Sequence, residues 1–203
     1  LLVQGGFSPA VTFAVLDRYG VTNFAAAPTV YRALRSSNLL VPTELKLRCA
    51  SSAGEPLTPD VNAWALTSLG VAVHDHYGQT EAGMLINNHH HQALRRSLKA
   101  GSMGSVMPGW KAAILYQDRD EPAPHGTVGR LAFELDQSAL AWFAGYRDDP
   151  EKSAEKFSRD GRWYLTGDVA RMDGEGYLYF SSRDDDVIIM AGYRIGPFEV
   201  ESV

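Results

Sequence analysis

Five consecutive residues, Tyr77-Gly78-Gln79-Thr80-Glu81, set a hydroxyl beside a carboxylate just after a glycine. The apolar run Val71-Ala72-Val73 precedes them and reads as a short buried strand. A strand leading into such a string suits a metal–phosphate site. The Thr80 hydroxyl can donate to a phosphate oxygen. Glu81 suits magnesium, which takes one or two carboxylates and fills its shell with phosphate oxygens and water. The same pair also suits a helix start, with a capping hydroxyl and a first-turn carboxylate.

Two further strings carry chemistry. Thr166-Gly167-Asp168 reads as a turn. Its carboxylate has two acceptor oxygens, suited to the paired hydroxyls of a ribose or to its own backbone. The third is the run Ser182-Arg183-Asp184-Asp185-Asp186-Val187-Ile188-Ile189-Met190-Ala191-Gly192-Tyr193-Arg194-Ile195-Gly196-Pro197-Phe198-Glu199-Val200-Glu201-Ser202. Its three aspartates read as a solvated charge run or a weak metal site.

In this order the three strings resemble the adenylate-forming enzymes, the superfamily of acyl-CoA synthetases, luciferases and peptide-synthetase adenylation domains. The ending Gly-Tyr-Arg-Ile-Gly-Pro-Phe-Glu-Val-Glu-Ser is most similar to the medium-chain acyl-CoA synthetase branch. The resemblance implies an ATP-dependent ligase that makes an acyl-adenylate from a carboxylic acid and passes the acyl group to CoA. It implies ATP, Mg2+ and CoA as the small molecules used. The alternatives are another adenylating enzyme (a peptide-synthetase adenylation domain or an aryl-CoA ligase) or, for these residues alone, a non-catalytic nucleotide-binding module.

Residue by residue, the resemblance implies phosphate and Mg2+ roles for Thr80 and Glu81. Tyr77, otherwise a core aromatic, stacks on or borders the adenine, with Gly78 and Gln79 beside it. The backbone of Gly54-Glu55-Pro56, otherwise a simple turn, passes close to the adenine. Asp75 meets the adenine amino group. Asp168 takes the ribose, assisted by Arg183. Asp185 is the hinge between a large and a small domain. The family pattern places a glycine where this chain has Ser182. Gly192, Tyr193 and Arg194 approach the pantetheine of CoA. In acetate-using relatives a tryptophan matches Gly78 and a bulkier aliphatic matches Ala53. Small residues here imply an open pocket for medium-chain or aryl acids. The family's phosphate loop ending in Pro-Lys and the catalytic lysine of its small C-terminal domain are not found, so the sequence reads as an internal piece of a longer enzyme.

The elements that must position these residues are legible in outline. Ser8-Pro9, Pro28-Thr29 and Thr58-Pro59 are helix starts, a proline in the first turn being favourable. Ser8 offers a capping hydroxyl, and Gly20 and Gly70 are stops. Strands are expected at residues 21–27, 47–52 and 71–75. Alternating strands and helices imply a parallel sheet with ligands beyond the carboxyl ends of its strands. That places the loops at residues 27–29, 53–56 and 77–81 on one rim.

After residue 99, glycines punctuate short strand-like runs at 112–116, 129–134, 163–165 and 176–180. The fold expected is α/β. An αβ subdomain (1–99) precedes a β-rich, distorted barrel-like subdomain (100–183) and the start of a small C-terminal domain (184–203). Residues 187–190 and 193–195 flank Ala191-Gly192, a hairpin signal.

With 203 residues and a net charge of −5, the chain has room for a real core and no basic face for nucleic acid. No apolar run is long enough to span a bilayer, so neither nucleic acid nor membrane is an expected partner. Cys49 is the single cysteine, which fits the cytoplasm or another reducing compartment. It lies in an apolar strand and suits a core position better than a nucleophile. His89-His90-His91 suits an exposed loop better than a metal site.

Overall fold

The computed structural model describes residues 6–184, 188–190 and 193–195. The chain divides into two compact units. The first comprises residues 1–76 and 88–101, the second residues 77–87 and 102–203.

The first unit alternates helix and strand. Helix α1 is Pro9–Arg18, strand β1 Asn23–Ala25, helix α2 Pro28–Ser36, strand β2 Cys49–Ser52 and helix α3 Pro59–Ser68. Strand β3, Val73–Gln79, begins here and ends in the second unit. All three helices carry proline in the first turn. None is capped by the side chain before it. The Ser8 carbonyl, not its hydroxyl, accepts from Thr12 N at 2.8 Å and from Thr12 Oγ1 at 2.9 Å. Gly20 and Gly70 end their helices with φ of +55° and +75°, conformations that glycine adopts without strain.

Strand β1 pairs parallel with β2, and β2 parallel with β3. The core holds Phe13, Leu16, Tyr31, Leu34, Val61 and Val73. Tyr31 is fully buried, and its hydroxyl reaches Phe24 O and Ser51 O, each at 3.1 Å, pinning α2 across two strands. Asn62 does the same for α3, exchanging two 3.0 Å bonds with the backbone of Val73. Cys49 is half-buried.

The second unit is β-rich. Strands β4 (Gly83–Asn87) and β5 (Ser105–Val106) pair antiparallel. Strands β6 (Ala112–Leu115), β7 (Val128–Glu134), β8 (Trp163–Met172) and β9 (Leu178–Arg183) form an antiparallel sheet in that order. Among the described residues this sheet stays open, not closed into a barrel. The short helix α4 (Pro150–Ala154) precedes β8, capped by the Asp149 carboxylate on Lys152 N at 3.0 Å. One face of the sheet buries Leu131, Phe133, Tyr164, Ala170 and Leu178, the other Leu115, Ala132 and Trp163. Strands β10 (Ile188–Met190) and β11 (Tyr193–Ile195) pair antiparallel with Met190 opposite Tyr193, the geometry of a hairpin.

Candidate nucleotide site

The expected loop at residues 77–81 is largely strand. Strand β3 continues through Tyr77, Gly78 and Gln79, and only residues 80–82 turn, closed by Ala82 N donating to Gln79 O at 3.1 Å. Gly78 is explained by close approach. A Cβ there would lie 2.4 Å from Gly83 O and 3.2 Å from Met84 Cα. The space that a side chain at this position would take is already filled by backbone.

The Thr166-Gly167-Asp168 string is likewise a bulge within β8 and not a turn between strands. On β7, Arg130 pairs with Val169 and Ala132 with Leu165, so Leu131 alone stands opposite Thr166, Gly167 and Asp168. Gly167 takes φ of +79°, and Thr166 Oγ1 donates to Leu131 O at 2.8 Å and accepts from Asp168 N at 3.1 Å. Bulges re-aim side chains, and this one places a carboxylate.

Two strings nearly ninety residues apart meet here. The Tyr77 hydroxyl donates to Asp168 Oδ2, and Gln79 Nε2 donates to the same oxygen at 2.8 Å. Gln79 Nε2 also reaches Thr166 O at 3.0 Å, and Tyr164 donates its hydroxyl to Gln79 Oε1 at 2.8 Å. Arg183 Nη1 stands 3.8 Å from Asp168 Oδ1. Lys156 Nζ donates to Thr166 O at 3.1 Å. Burial pushes the Asp168 carboxyl upward against the pull of Tyr77, Arg183 and Lys156. Burial, reinforced by Asp168, pushes the Tyr77 phenol far up.

Glu81 lies in the turn after β3, half-buried. The Tyr146 hydroxyl donates to its Oε1 at 2.5 Å. That bond holds the Glu81 carboxyl below its usual range, with Lys156 and Arg183 adding to the effect. Burial, then Glu81, raises Tyr146 to about 12. An ionised carboxylate beside the exposed Thr80 fits a hard cation whose remaining ligands come from phosphate and water. Among the described residues no group of three or more His, Cys, Asp or Glu could hold a metal by itself.

In the first unit, the first turns of α2 and the loop after β2 are tied together. Glu55 accepts from Thr29 Oγ1 at 2.6 and 2.7 Å and from Arg32 Nη2 at 2.6 Å. Gly54 turns with φ of +92° before Pro56, and Ala53 precedes it half-buried. Asp75 is buried in β3, its Oδ1 accepting from His76 N at 3.1 Å. Burial raises its carboxyl to about 7. His74 is buried, bonds Asn88 O at 2.7 Å and stacks on exposed His90 at 3.7 Å. His89 is buried, unlike an exposed loop residue.

Asp185 and Gly192 lie outside the described residues, while Tyr193 and Arg194 lie on β11. Sequence reasoning missed Tyr146, Lys156 and Tyr164. Tyr164 alone left a signal, standing at alternate-residue spacing before Thr166 and Asp168.

A family model described as AMP-binding enzyme matches residues 2–141. The chain belongs to the AMP-binding enzyme family. This AMP-binding enzyme chain is 40% identical over 200 residues to the uncharacterised acyl–CoA ligase YtcI of Bacillus subtilis, covering 98% of the chain and 36% of that relative. It is 36% identical to the mitochondrial acyl-coenzyme A synthetase ACSM3 of Homo sapiens, over 97% of the chain and 32% of the relative. Among solved structures, the Brucella canis acyl-CoA synthetase matches with TM-score 0.79 and 42% identity, over 98% of this chain and 35% of that one. ATP-bound MatB from Rhodopseudomonas palustris matches with TM-score 0.84 and 28% identity, over 98% and 38%. The chain thus spans about a third of the length of the relatives it matches. No helix among the described residues is long and apolar enough to cross a membrane.

Proposed function

We propose that this chain forms the nucleotide site of an AMP-forming acid–thiol ligase. A carboxylate oxygen attacks the α-phosphorus of ATP, pyrophosphate leaves, and an acyl-adenylate remains. The CoA sulfur then attacks the acyl carbon, the bond to AMP breaks, and acyl-CoA and AMP are released. The observation that carries this reading is the meeting of Tyr77 and Gln79 with Asp168 across the bulge of β8. It joins two of the three strings on which the family resemblance rests, and relatives named acyl-CoA synthetases support the reaction class.

The roles are those that the family resemblance implies. Asp168 accepts from ribose hydroxyls, with Arg183 beside it. Thr80 donates to a phosphate oxygen. Glu81 would hold Mg2+, which when bound offsets charge on the phosphates. Tyr77, the Gly54-Glu55-Pro56 turn and Asp75 border the adenine. Ala53 lies toward the acyl group, Asp185 is the hinge, and Gly192-Tyr193-Arg194 approach CoA. Medium-chain or aryl acids are the substrates this reading favours, each buried methylene contributing about 0.8 kcal/mol. The test is AMP release by the protein carrying this chain, with ATP, CoA and acids from acetate to octanoate and benzoate. Acid-dependent AMP formation is expected. AMP release that does not depend on an added acid and CoA overturns the reading.

A further inference from the structure

The Gln79 amide has two hydrogens, and both are engaged within the chain. One goes to Thr166 O at 3.0 Å, the other to Asp168 Oδ2 at 2.8 Å. Its oxygen accepts from the Tyr164 hydroxyl at 2.8 Å. Reversing the amide would point its oxygen at a carbonyl and a carboxylate, so the two acceptors fix which way it faces. Gln79 therefore has no hydrogen left to give a ligand without breaking this arrangement.

Asp168 needs such an arrangement. Its terminal torsion is a broad two-fold rotor, which packing alone holds loosely. It also stands on a bulge, where no ladder bond fixes the backbone on the β7 side. Gln79 and Tyr77 both donate to Oδ2, and Oδ1 lies on the side of Arg183. The plane of the carboxylate is set by these donors.

We infer that Gln79 and Tyr164 are positioning residues: Tyr164 orients the Gln79 amide, which holds the Asp168 carboxylate so that Oδ1 meets the vicinal hydroxyls of a ribose. The inference rests on the ribose role given to Asp168 above. It makes ribose selectivity depend on a tyrosine that contacts no part of the nucleotide. Neutral strut and charged acceptor are chemically distinct, so their removal reads out differently from loss of a base contact.

The experiment compares kcat/KM for ATP, 2′-deoxyATP, 3′-deoxyATP and ITP in the protein carrying this chain, with Gln79→Met, Tyr164→Phe and Asp168→Asn variants. Methionine keeps the length of Gln79 without its donors. Phenylalanine keeps the Tyr164 ring against Phe143 and Phe157, at 6.0 and 6.3 Å, and provides a folded variant even where Gln79→Met destabilises the chain. A hydrogen bond to a charged group corresponds to about 10- to 100-fold, so Gln79→Met should lower ATP use by about that factor and deoxyATP use far less. The preference for ATP over deoxyATP then shrinks, and Tyr164→Phe shrinks it in the same direction by a smaller factor. The ATP-to-ITP preference stays as in the parent. If Gln79→Met changes the ITP ratio and not the deoxyATP ratios, Gln79 reads the base and the inference falls. If Asp168→Asn loses ribose preference while Gln79→Met and Tyr164→Phe keep it, the strut alone is wrong. If Asp168→Asn itself keeps the parental preference, the ribose role of Asp168 is wrong and the inference goes with it.

Discussion

The phenolic oxygen of Tyr146 stands 2.5 Å from Glu81 Oε1 and donates its hydrogen to that carboxylate. The tyrosine is itself held firmly. Its backbone N–H donates to Ser153 Oγ at 2.7 Å, and Ser153 donates onward to Asp149 O at 2.6 Å. Gly145, at φ of +131°, lets the chain pass Ser153, where a Cβ would come within 2.9 Å of its hydroxyl. Lys152 lies 5.2 Å from the centre of the Tyr146 ring. A carboxylate that binds a metal through one oxygen is steadied by a donor on the other.

Tyr146→Phe should therefore raise the Mg2+ concentration needed for half-maximal adenylation by about 10- to 100-fold, the usual effect of losing an outer partner of a metal ligand. The ring packing against Phe143 survives the change. Mn2+ binding followed by electron paramagnetic resonance gives the same comparison without turnover. Unchanged metal dependence in both measurements removes Tyr146 from this role.

Asp75 couples stability to pH. Its carboxyl is raised to about 7 when folded and titrates near 4 when unfolded. Between those values the folded chain keeps a proton that the unfolded chain has released. The contribution of this group is full below about pH 4 and lost by about pH 7 and above, at up to about 1.4 kcal/mol per pH unit. His74, His76 and His90 are lowered by burial, with Arg95 contributing at His74 and His90. They act in the opposite sense, losing stability as pH falls below 6.5. Asp75→Asn isolates the carboxyl, because the histidines remain. The stability of the parent relative to Asp75→Asn should decline from pH 4 to 8 in urea denaturation. Parallel profiles would show that burial does not penalise this charge.

Gly78→Ala should destabilise the chain by about 1–3 kcal/mol, since the new methyl group meets the backbone of Gly83 and Met84 across the turn. Gly78→Trp should do more harm. A change of acid preference in that variant cannot be separated from a displaced β4. Ala53→Leu is the cleaner probe of acyl length, with octanoate losing ground to acetate. If Gly78→Ala melts with the parent, the approach of Gly83 is looser than the structure has it.

Proline at Asp185 should leave acyl-adenylate formation intact and suppress thioester formation, because proline fixes a torsion that a hinge must vary. Single-turnover assays of the two half-reactions make the comparison. Equal loss of both half-reactions argues against a hinge there.

Much of the first unit was legible because proline and glycine mark it. Pro9, Pro28 and Pro59 set helix starts, and Gly20 and Gly70 set stops, each through backbone geometry that is local in sequence. The same reasoning failed where glycine serves a distant contact. Gly78 and Gly167 looked like turn residues but lie inside strands, one to let Gly83 approach, the other to form a bulge. The site was legible as strings but not as a network. That Tyr77 and Gln79 meet Asp168 depends on the pairing of β8 with its neighbours, which no local pattern encodes. Tyr146 was invisible for a related reason. An aromatic ring with a polar tip reads as core until its hydroxyl partner is known.

The bulge in β8 also has a parity. Three residues opposite one amount to an insertion of two, and two is the repeat of a strand. Tyr164 before it and Ala170 after it consequently pack in the same hydrophobic cluster, while Trp163 and Leu165 serve the other face. Excising one residue here would turn the rest of the strand inside out. Excising two, Gly167 with Asp168, would leave the sheet its two faces and remove the carboxylate. The aspartate proposed to take the ribose is in this sense a graft that leaves the two packed faces of the sheet in place.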